Sequence, residues 1–451
     1  MAKIKSKIHY LCSDCGDDFP KWHGQCPSCK EWGTLTEFKV SGKGTSLKKK
    51  GVIKESRSLT EVLAGNPGER FMTGMGEMDR VLGGGLLSGS LILLGGNPGV
   101  GKSTLALQMG HNGIKILYIT AEESEDQVAI RAKRLGIKSD QLHLSGENEI
   151  QAIETHISTV NPQLVVVDSI QTIFNEDLDS IAGSVSQIRE CGQQLLSISK
   201  QKNVAILIIG HVTKEGTIAG PKMLEHMVDT VLYLEGDDRH DHRILRSVKN
   251  RFGPTHEVGI FQMESDGLSE VNNPSELFLA ERSENIPGTS IFPSLEGTRP
   301  ILVEVQALVS NANYGTPQRN VNGFDYKRLS MLLAVLEKRM KNPMGTKDVF
   351  VNLVGGLRVD DPAADLSILC SVASSARDES IQDGMIIIGE VGLAGEIRSV
   401  GQIEKRLQEA SALGFTEAVI PNGNHNEKTK KIKMKLHPVR TVQDVFSLIF
   451  H

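Results

Sequence analysis

The 451-residue sequence predicts an α/β fold class in three parts. A small cysteine-bearing module is expected at residues 1–34, and a doubly wound core with a mostly parallel sheet is expected at residues 59–272. A separate α+β domain is expected at residues 273–451. Three observations support this division: two Cys-x₂-Cys pairs near the start, alternating strand-like and helix-like segments in the middle, and a change of that pattern beyond about residue 272.

The composition is that of an ordinary globular chain, with 39% hydrophobic and 23% charged residues. The formal net charge of −5 means that any surface for nucleic acid must be local. No apolar run approaches the roughly 18 residues of a membrane span, and the basic N-terminus lacks the apolar stretch of a signal peptide. We therefore expect a cytoplasmic protein that does not bind a membrane.

Four cysteines in the first module have the spacing of a zinc site. Each pair places two thiolates on one tetrahedral Zn²⁺, and the ten residues between the pairs close the site. The predicted zinc ligands are Cys12, Cys15, Cys26 and Cys29. The alternative, two disulfides, is disfavoured because nothing in the sequence indicates export. We expect Trp22 and Trp32, the two tryptophans of the chain, to cover the apolar face of the module.

Residues 35–58 are predicted to form a flexible basic linker, because serine, glycine and lysine dominate them. Their run Lys48–Lys50 offers contacts for nucleic-acid phosphates, although a run this short is also typical of a solvated tether. Neither interpretation gives the run a regular structure.

The core is organised around a glycine-rich turn between the strand-like segment Leu91–Leu94 and a helical pattern. This turn fits the P-loop spacing G-x-x-x-x-G-K-[ST] at each fixed position. The predicted nucleotide-binding residues are Gly96, Asn97, Pro98, Gly99, Val100, Gly101, Lys102, Ser103 and Thr104. Backbone N–H groups of such a turn converge on phosphate oxygens. We predict that the turn binds ATP, that Lys102 reaches the β- and γ-phosphates, and that Ser103 ligates Mg²⁺.

Acidic residues follow two of the predicted core strands. Asp168 ends an apolar strand, as in a Walker B motif, and is predicted to hold Mg²⁺ together with Ser103. Glu122 is our candidate for orienting and deprotonating the water that attacks the γ-phosphate, with Glu123 in reserve. Alternatively, both glutamates are solvated acids at the start of a helix beginning near Ser124.

A further predicted strand, residues 204–210, ends at His211, which we regard as a candidate sensor of the γ-phosphate. A single histidine is more often structural, so this role is a hypothesis. The loop that follows contains Lys214 and Lys222 with glycines between them, which suits a mobile loop that contacts a nucleic-acid strand.

The motifs together resemble the RadA (Sms) family of bacterial DNA repair proteins over essentially the whole chain. The matching segments are CSDC, CPSC, GGNPGVGKST, AEES, VVVDSIQT, GHVTKEGTIAGPKMLEHMVDTVLYLEGD and KNRFG. The resemblance implies a RecA-like P-loop ATPase core in a ring-shaped, hexameric assembly on single-stranded and branched DNA. It further implies ATP-driven branch migration or helicase-like unwinding beside a RecA-type recombinase. A clamp or scaffold that is switched by ATP and does not translocate is the alternative.

The KNRFG motif comprises Lys249, Asn250, Arg251, Phe252 and Gly253. Lys249 and Arg251 alternate on a strand-like segment, so they can face one side together. In a RecA-like ring, such a pair can complete the charge around the phosphate in the neighbouring subunit. Contact with DNA phosphates is the other interpretation, and the sequence leaves both open.

The region 273–451 resembles the proteolytic domain of Lon, which uses a serine–lysine dyad. Ala363 occupies the position of the serine, and Glu404 occupies that of the lysine. We therefore expect no proteolysis and favour a role in ring assembly or DNA contact. The basic residues Arg319, Lys327 and Arg328 are candidate DNA contacts, and a solvated helix face is an equally good explanation of them.

Overall fold

A computed structural model of the chain describes residues 7–12, 18–40, 56, 58–64, 68–210, 223–236, 241–255, 257–279, 285–312, 315–354 and 358–450. The chain divides into two compact units, Met1–Glu270 and Val271–His451. Within the ranges given above, no helix combines the length and apolar character needed to cross a bilayer.

The first module is a three-stranded antiparallel sheet. Its strands are β1 (Lys7–Cys12), β2 (Asp18–Phe19) and β3 (Leu35–Val40), in the order β2-β1-β3. Strand β3 pairs along the whole of β1, so the module extends through Val40. The predicted start of the linker at residue 35 is therefore wrong, because six residues assigned to it form a strand.

Trp22 and Trp32 do not cover the apolar face of the module, contrary to our expectation. They expose 61% and 73% of their surface, respectively. The small interior is filled instead by two cysteines and a leucine, against which further side chains pack; these residues are Cys12, Cys26, Leu35, Tyr10, Phe19 and Cys29. Among the described side chains, this interior contains neither indole ring.

The remaining elements of the first unit alternate between strand and helix before residue 230. They are α1 (Leu59–Ala64), β4 (Arg70–Phe71), α2 (Gly76–Leu82), β5 (Leu86–Leu87), β6 (Leu91–Gly96), α3 (Lys102–Gln108), β7 (Ile116–Thr120), α4 (Glu125–Arg134), β8 (Leu142–Ser145), α5 (Ile150–Val160), β9 (Leu164–Asp168), α6 (Val185–Lys202), β10 (Ala205–Ile209), α7 (Met223–Met227), β11 (Thr230–Glu235), β12 (His242–Asn250), β13 (Val258–Glu264) and β14 (Gly267–Glu270). A 3-10 helix, Met109–Asn112, follows α3.

Nine of these strands form one sheet in the order β14-β13-β12-β11-β6-β10-β9-β7-β8. The six strands from β11 to β8 are parallel, and β12, β13 and β14 extend the sheet in antiparallel fashion. The predicted mostly parallel sheet is therefore confirmed, with an antiparallel edge that the sequence pattern did not reveal.

Both faces of the parallel strands are buried, which explains their continuous apolar sequences. In β6, Ile92 and Leu94 face one core with residues of α2, α3 and α4. Leu91 and Leu93 face the other core with residues of α5 and α6. Full burial of one such side chain contributes about 1.5–3 kcal/mol, so the two cores fix the register of the sheet.

The second unit is an α+β domain, as predicted. Its elements are α8 (Pro274–Leu279), β15 (Thr289–Glu296), β16 (Arg299–Asn311), β17 (Arg319–Asn322), α9 (Tyr326–Met340), β18 (Lys347–Leu353), α10 (Asp365–Arg377), β19 (Met385–Ile387), β20 (Glu390–Val391), β21 (Ile397–Arg398), α11 (Ile403–Ala412), β22 (Glu417–Pro421), β23 (Lys435–Val439) and α12 (Val442–Ile449). Seven strands form a mixed sheet in the order β17-β18-β16-β15-β19-β22-β23.

Ala363 lies in a short 3-10 helix, Pro362–Ala364, and is 1% exposed. Ion pairs lie on both sides of it in sequence. The Arg406 guanidinium donates to the Asp361 carboxylate. The Arg328 guanidinium donates two hydrogen bonds of 2.5 Å to Asp365, which is fully buried.

The Arg328 pair corrects one prediction about DNA contacts. Its hydrogen bonds to Asp365 raise the pKa of Arg328, and the side chain is 27% exposed. The guanidinium therefore neutralises a buried carboxylate of its own domain and is not an unengaged surface cation.

Replacing Arg328 by alanine should destabilise the second unit by about 3–5 kcal/mol, because it leaves the Asp365 carboxylate buried without its partner. Hydrogen exchange of the α10 amides in the full chain measures the change. Lys327→Ala removes an exposed cation next in sequence and should change stability by at most about 0.5 kcal/mol. Equal effects of the two substitutions would contradict a structural role for the pair.

Candidate functional site

The predicted nucleotide-binding residues follow β6 at the carboxyl edge of the parallel sheet. Gly96, Gly99 and Gly101 have φ angles of 154°, 79° and 113°, which side chains rarely adopt. A Cβ at Gly101 would lie 2.8 Å from Met263 Cε, and one at Gly96 would collide with the Leu234 carbonyl. The turn thus requires glycine, both for its backbone conformation and for the close approach of neighbouring residues.

Lys102 is 4% exposed and lies over this turn. Its Nζ donates hydrogen bonds of 2.9 Å to the carbonyls of Gly96 and Asn97. Burial lowers the pKa of Lys102, and the negative charges of Asp168 and Glu122 act in the opposite direction. The structure therefore brings Lys102 and both predicted acids into one electrostatic cluster.

Parallel pairing explains why residues distant in sequence meet at this edge. Thr120 of β7 pairs with Asp168 of β9, which pairs with Ile209 of β10. Ile209 in turn pairs with Leu94 of β6. The segments that follow these four strands therefore begin side by side, at the carboxyl ends of the strands where open α/β sheets bind their ligands.

Tyr118 connects the two residues predicted to hold Mg²⁺. Its fully buried hydroxyl donates a 2.5 Å hydrogen bond to Asp168 Oδ2 and also hydrogen-bonds the Ser103 side chain. Burial, reinforced by the charge of Asp168, raises the pKa of Tyr118 well above its ordinary value, so the hydroxyl stays protonated as a donor. Sequence reasoning missed this residue; a tyrosine inside an otherwise aliphatic strand was the available signal.

The two neighbouring glutamates have different surroundings. Glu122 Oε1 accepts a 2.5 Å hydrogen bond from Ser169, the residue that follows Asp168 through a cis peptide bond. Glu123 forms an ion pair with Arg131 on α4. The geometry therefore directs Glu122 toward the predicted Mg²⁺ and phosphate residues and engages Glu123 with the following helix.

Arg243 is a second residue of the site that the sequence did not single out. It lies in β12, whose first residues run beside the carboxyl end of β11. Its Nε donates a 3.2 Å hydrogen bond to the Val100 carbonyl in the glycine-rich turn. The antiparallel strand β12 thus contacts the glycine-rich turn directly through this hydrogen bond.

The KNRFG motif lies at the amino ends of the parallel strands, at the opposite end of the sheet from the glycine-rich turn. Asn250, which ends β12, pairs with Thr230, which pairs with Ile92 near the start of β6. Gly96 is four residues farther along β6, a distance of about 13 Å at 3.3 Å per residue. Within one chain, the motif is therefore remote from the glycine-rich turn.

Lys249 binds the end of helix α7. Its Nζ donates to the carbonyls of Glu225, His226 and Val228 at 2.6, 3.2 and 2.9 Å. Burial lowers the pKa of Lys249, and the nearby positive charge of Arg251 lowers it further. The two cations predicted to face one side are thus electrostatic neighbours.

Arg251 is more accessible, with 56% of its side chain exposed. Its guanidinium lies 3.8 Å from Asp229 Oδ1, while Asp229 Oδ2 binds Lys200 Nζ at 2.8 Å and the Leu91 amide at 3.1 Å. Asp229, which sequence reasoning missed, thus anchors the motif to the start of β6. Most of the Arg251 guanidinium remains open to solvent.

The other motif residues shape this turn. The Asn250 side chain donates to the Leu82 carbonyl at 3.1 Å and accepts from the Phe252 amide at 3.0 Å. Phe252 is 40% exposed, with Lys200 Nζ 5.6 Å from its ring centroid. A Cβ at Gly253 would lie 2.7 Å from Asn250 Nδ2 and 3.2 Å from the Gly83 Cα and the Leu82 carbonyl oxygen, so a larger residue there would displace the Asn250 side chain.

Three thiol groups of the first module converge on one point. The Sγ atoms of Cys12, Cys26 and Cys29 lie within 4.8 Å of one another, and those of Cys12 and Cys29 are 3.7 Å apart. A tetrahedral zinc site with Zn–S bonds of about 2.3 Å separates its sulfurs by about 3.8 Å, so the geometry fits Zn²⁺ and excludes a Cys12–Cys29 disulfide. Cys15, the fourth predicted ligand, lies outside the described residues.

Several other candidates are not brought into this arrangement. His211, Lys214 and Lys222 lie outside the described residues, so their roles stay predictions. Arg319 is half-buried in β17, and Lys327 is exposed in the first turn of α9. Both belong to the second unit, Val271–His451.

Three family profiles match successive parts of the chain. The AAA domain profile matches residues 73–217, and the rubredoxin metal binding domain profile matches residues 10–37. The Lon protease (S16) C-terminal proteolytic domain profile matches residues 333–451. These matches and the topology confirm the predicted fold class: an α/β P-loop ATPase core, matched by the AAA domain profile, that lies in sequence between a zinc ribbon and a Lon-like domain. They also confirm ATP, Mg²⁺ and Zn²⁺ as cofactors.

Curated relatives match this chain over nearly its full length. The DNA repair protein RadA of Halalkalibacterium halodurans is 46% identical over 456 residues, 99% of each chain. The DNA repair protein RadA of Bacillus subtilis is 48% identical over 440 residues, 95% of each chain. A crystal structure of the RadB recombinase aligns with 44% of this chain and 99% of its own, at 24% identity and a TM-score of 0.36, too low to carry an argument.

Replacing Tyr118 by phenylalanine should raise the Mg²⁺ concentration needed for half-maximal nucleotide binding several-fold, because Asp168 and Ser103 lose their common partner. The buried ring remains, so we expect a loss of stability near 1 kcal/mol. Titration of a fluorescent ATP analogue with and without Mg²⁺ measures the effect. Tyr326→Phe, at an exposed position, is the control. An unchanged Mg²⁺ dependence would show that the hydroxyl does not position these two residues.

Proposed function

The chain belongs to the RadA family of DNA repair proteins, and from that premise we propose that it is a DNA-dependent ATPase which drives branch migration or unwinding of recombination intermediates. A role in DNA repair and recombination follows from the family, and the P-loop ATPase fold supports ATP hydrolysis. The motor activity is the more specific part of the proposal. The observation that carries the ATPase part of the proposal is the convergence of Lys102, Asp168 and Glu122 at the carboxyl ends of the parallel strands.

Each residue of this cluster has a proposed task. The glycine-rich turn holds the triphosphate through its backbone N–H groups, and Lys102 neutralises charge on the β- and γ-phosphates. Ser103 and Asp168 would hold Mg²⁺, which would supply further positive charge to the phosphates. Glu122 accepts a proton from the attacking water, and Ser169 keeps its carboxylate in place through their hydrogen bond.

Lys249 and Arg251 are proposed to act on the nucleotide of a neighbouring subunit. Their distance from the glycine-rich turn of the same chain favours this arrangement, since a side chain cannot bridge the separation between the two sheet edges. Head-to-tail subunit contacts generate a closed ring, and each ring contact can then join one turn to one KNRFG motif. A homo-hexamer is our proposed assembly.

Coupling to DNA is proposed to pass through α7. Lys249 binds the carbonyls at the end of this helix, and residues 211–222, with Lys214 and Lys222, precede it directly in sequence. A change in the surroundings of Lys249 would therefore act on the segment that leads to these lysines. We propose single-stranded and branched DNA as substrates and a RecA-type recombinase as the partner.

The Lon-like domain is proposed to lack proteolytic activity and to serve ring assembly or DNA contact. Ala363 offers no nucleophile, and Glu404 cannot replace the activating lysine. Of the basic candidates in this domain, Lys327 is exposed and available to DNA.

A clamp or scaffold that is switched by ATP without translocating is the second candidate function. It is favoured by the exposed tryptophans of the zinc ribbon, since exposed aromatic side chains are typical of binding surfaces. Strand displacement separates the two candidates. A motor displaces a strand with ATP and loses this activity in Lys102→Ala, whereas a clamp displaces none.

Glu122→Gln should lower kcat for ATP hydrolysis about 10²- to 10⁴-fold while ATP still binds, because glutamine cannot accept the proton. Glu123→Gln is the matched control, since that side chain pairs with Arg131. Steady-state hydrolysis and equilibrium ATP binding, each with single-stranded DNA present, measure the two effects. The assignment fails if Glu123→Gln is the more damaging change.

Mixing two inactive variants tests action between subunits. Lys102→Ala and Arg251→Ala chains, co-expressed and purified together, should regain roughly a quarter of the normal ATPase activity, because about one contact in four joins an intact turn to an intact Arg251. Each variant alone should stay inactive. If the mixture stays inactive as well, Arg251 does not serve the neighbouring nucleotide, and the DNA-contact interpretation gains support.

A further inference from the structure

The exposed tryptophans of the zinc ribbon form a paired surface. A Cβ at Gly24 would lie 3.7 Å from Trp22 Cη2 and 3.6 Å from Trp32 Cζ3, so both rings lie against one backbone position. Each ring is more than half exposed. Single exposed aromatic residues are common on protein surfaces, but two indoles at one point form a contiguous aromatic surface.

A short hairpin holds the two rings in place. The Gly33 amide donates a 3.0 Å hydrogen bond to the Gly24 carbonyl, and Gln25 forms a bridge with Trp32. The Cys26 amide donates to the Glu31 carbonyl at 2.8 Å, which ties the hairpin to the zinc ligands. The rings are therefore carried by backbone that the metal site fixes, and little order has to be gained when they bind a partner.

Packing does not account for this exposure. The interior of the ribbon is filled by its cysteines and by smaller side chains. Burying the indoles would remove a large apolar area from water, so leaving both exposed on a module this small points to a ligand that covers them.

The basic sequence that follows the ribbon favours an anionic ligand. Lys21 and Lys30 are exposed and lie near Trp22 and Trp32 in sequence. The ribbon also has the exposed acidic residues Glu31 and Glu37. Residues 41–58, which follow the ribbon, contain six basic residues and one acidic residue in the sequence. Aromatic planes beside positive charge are the combination that binds single-stranded nucleic acid: bases stack, and phosphates are neutralised nearby.

We propose that the Trp22–Trp32 surface stacks unpaired bases of single-stranded DNA. This inference rests on the proposed activity on DNA and adds a strand-binding site outside the ATPase core. Stacking needs no particular base, so the site has no sequence preference. The ribbon would then bind an unpaired strand of a recombination intermediate directly.

Fluorescence of the full-length protein tests the proposal directly, because Trp22 and Trp32 are the two tryptophans of the chain. With excitation at a wavelength that spares tyrosine, oligothymidylate should quench the emission in the absence of ATP. An abasic oligomer with the same number of phosphates should not quench it. In Trp22→Ala or Trp32→Ala, the remaining tryptophan should need about 5- to 100-fold more oligothymidylate for half-maximal quenching.

The controls separate stacking from other causes. Each tryptophan variant should retain bound zinc, which shows that the ribbon is folded, and Tyr326→Ala should leave the titration unchanged. Equal quenching by the abasic oligomer, or no quenching by any DNA, overturns the proposal. So does quenching by a RecA-type recombinase alone, which would assign the surface to a protein. DNA-stimulated ATPase activity, measured on the same samples, separates failure of this inference from failure of the proposed function.

Discussion

Hydrogen bonding between parallel strands is the constraint on which the nucleotide site depends. The pairing of Thr120, Asp168, Ile209 and Leu94 across four strands places the segments that follow them side by side. The register is set by two apolar cores, since a shift of one residue would exchange the buried faces of a strand. The geometry of the nucleotide site is therefore a consequence of packing on both sides of the sheet, and the Tyr118 hydroxyl connects Asp168 with Ser103 within it.

The same sheet separates two sets of charge. Lys102 and its acidic neighbours lie at the carboxyl edge, whereas Lys249, Arg251 and Asp229 lie at the amino edge. Since no side chain spans this separation within one chain, the proposed action of Lys249 and Arg251 on a nucleotide requires a second copy of the chain.

Much of the fold and part of the site could be read from the sequence, because the P-loop concentrates its chemistry in consecutive residues. Strand β9 and its terminal Asp168 were recognisable for the same reason. Tyr118 was not, since its partner lies 50 residues away and only folding brings them together. The strand Leu35–Val40 was missed because its partner, Lys7–Cys12, lies far earlier in the sequence, before the second cysteine pair. Trp22 and Trp32 were expected to cover the apolar face because composition does not record which side chains already fill a small core.

The ion pairs on either side of Ala363 have a consequence for any attempt to rebuild a dyad there. The Arg406 guanidinium binds Asp361 and donates to the Pro293 carbonyl at 2.6 Å, and its side chain is 3% exposed. A serine at position 363 would place its hydroxyl between Asp361 and Asp365, which are both already engaged by arginines. This single substitution would therefore supply a nucleophile without an activating lysine, because Glu404 stands where that lysine is expected.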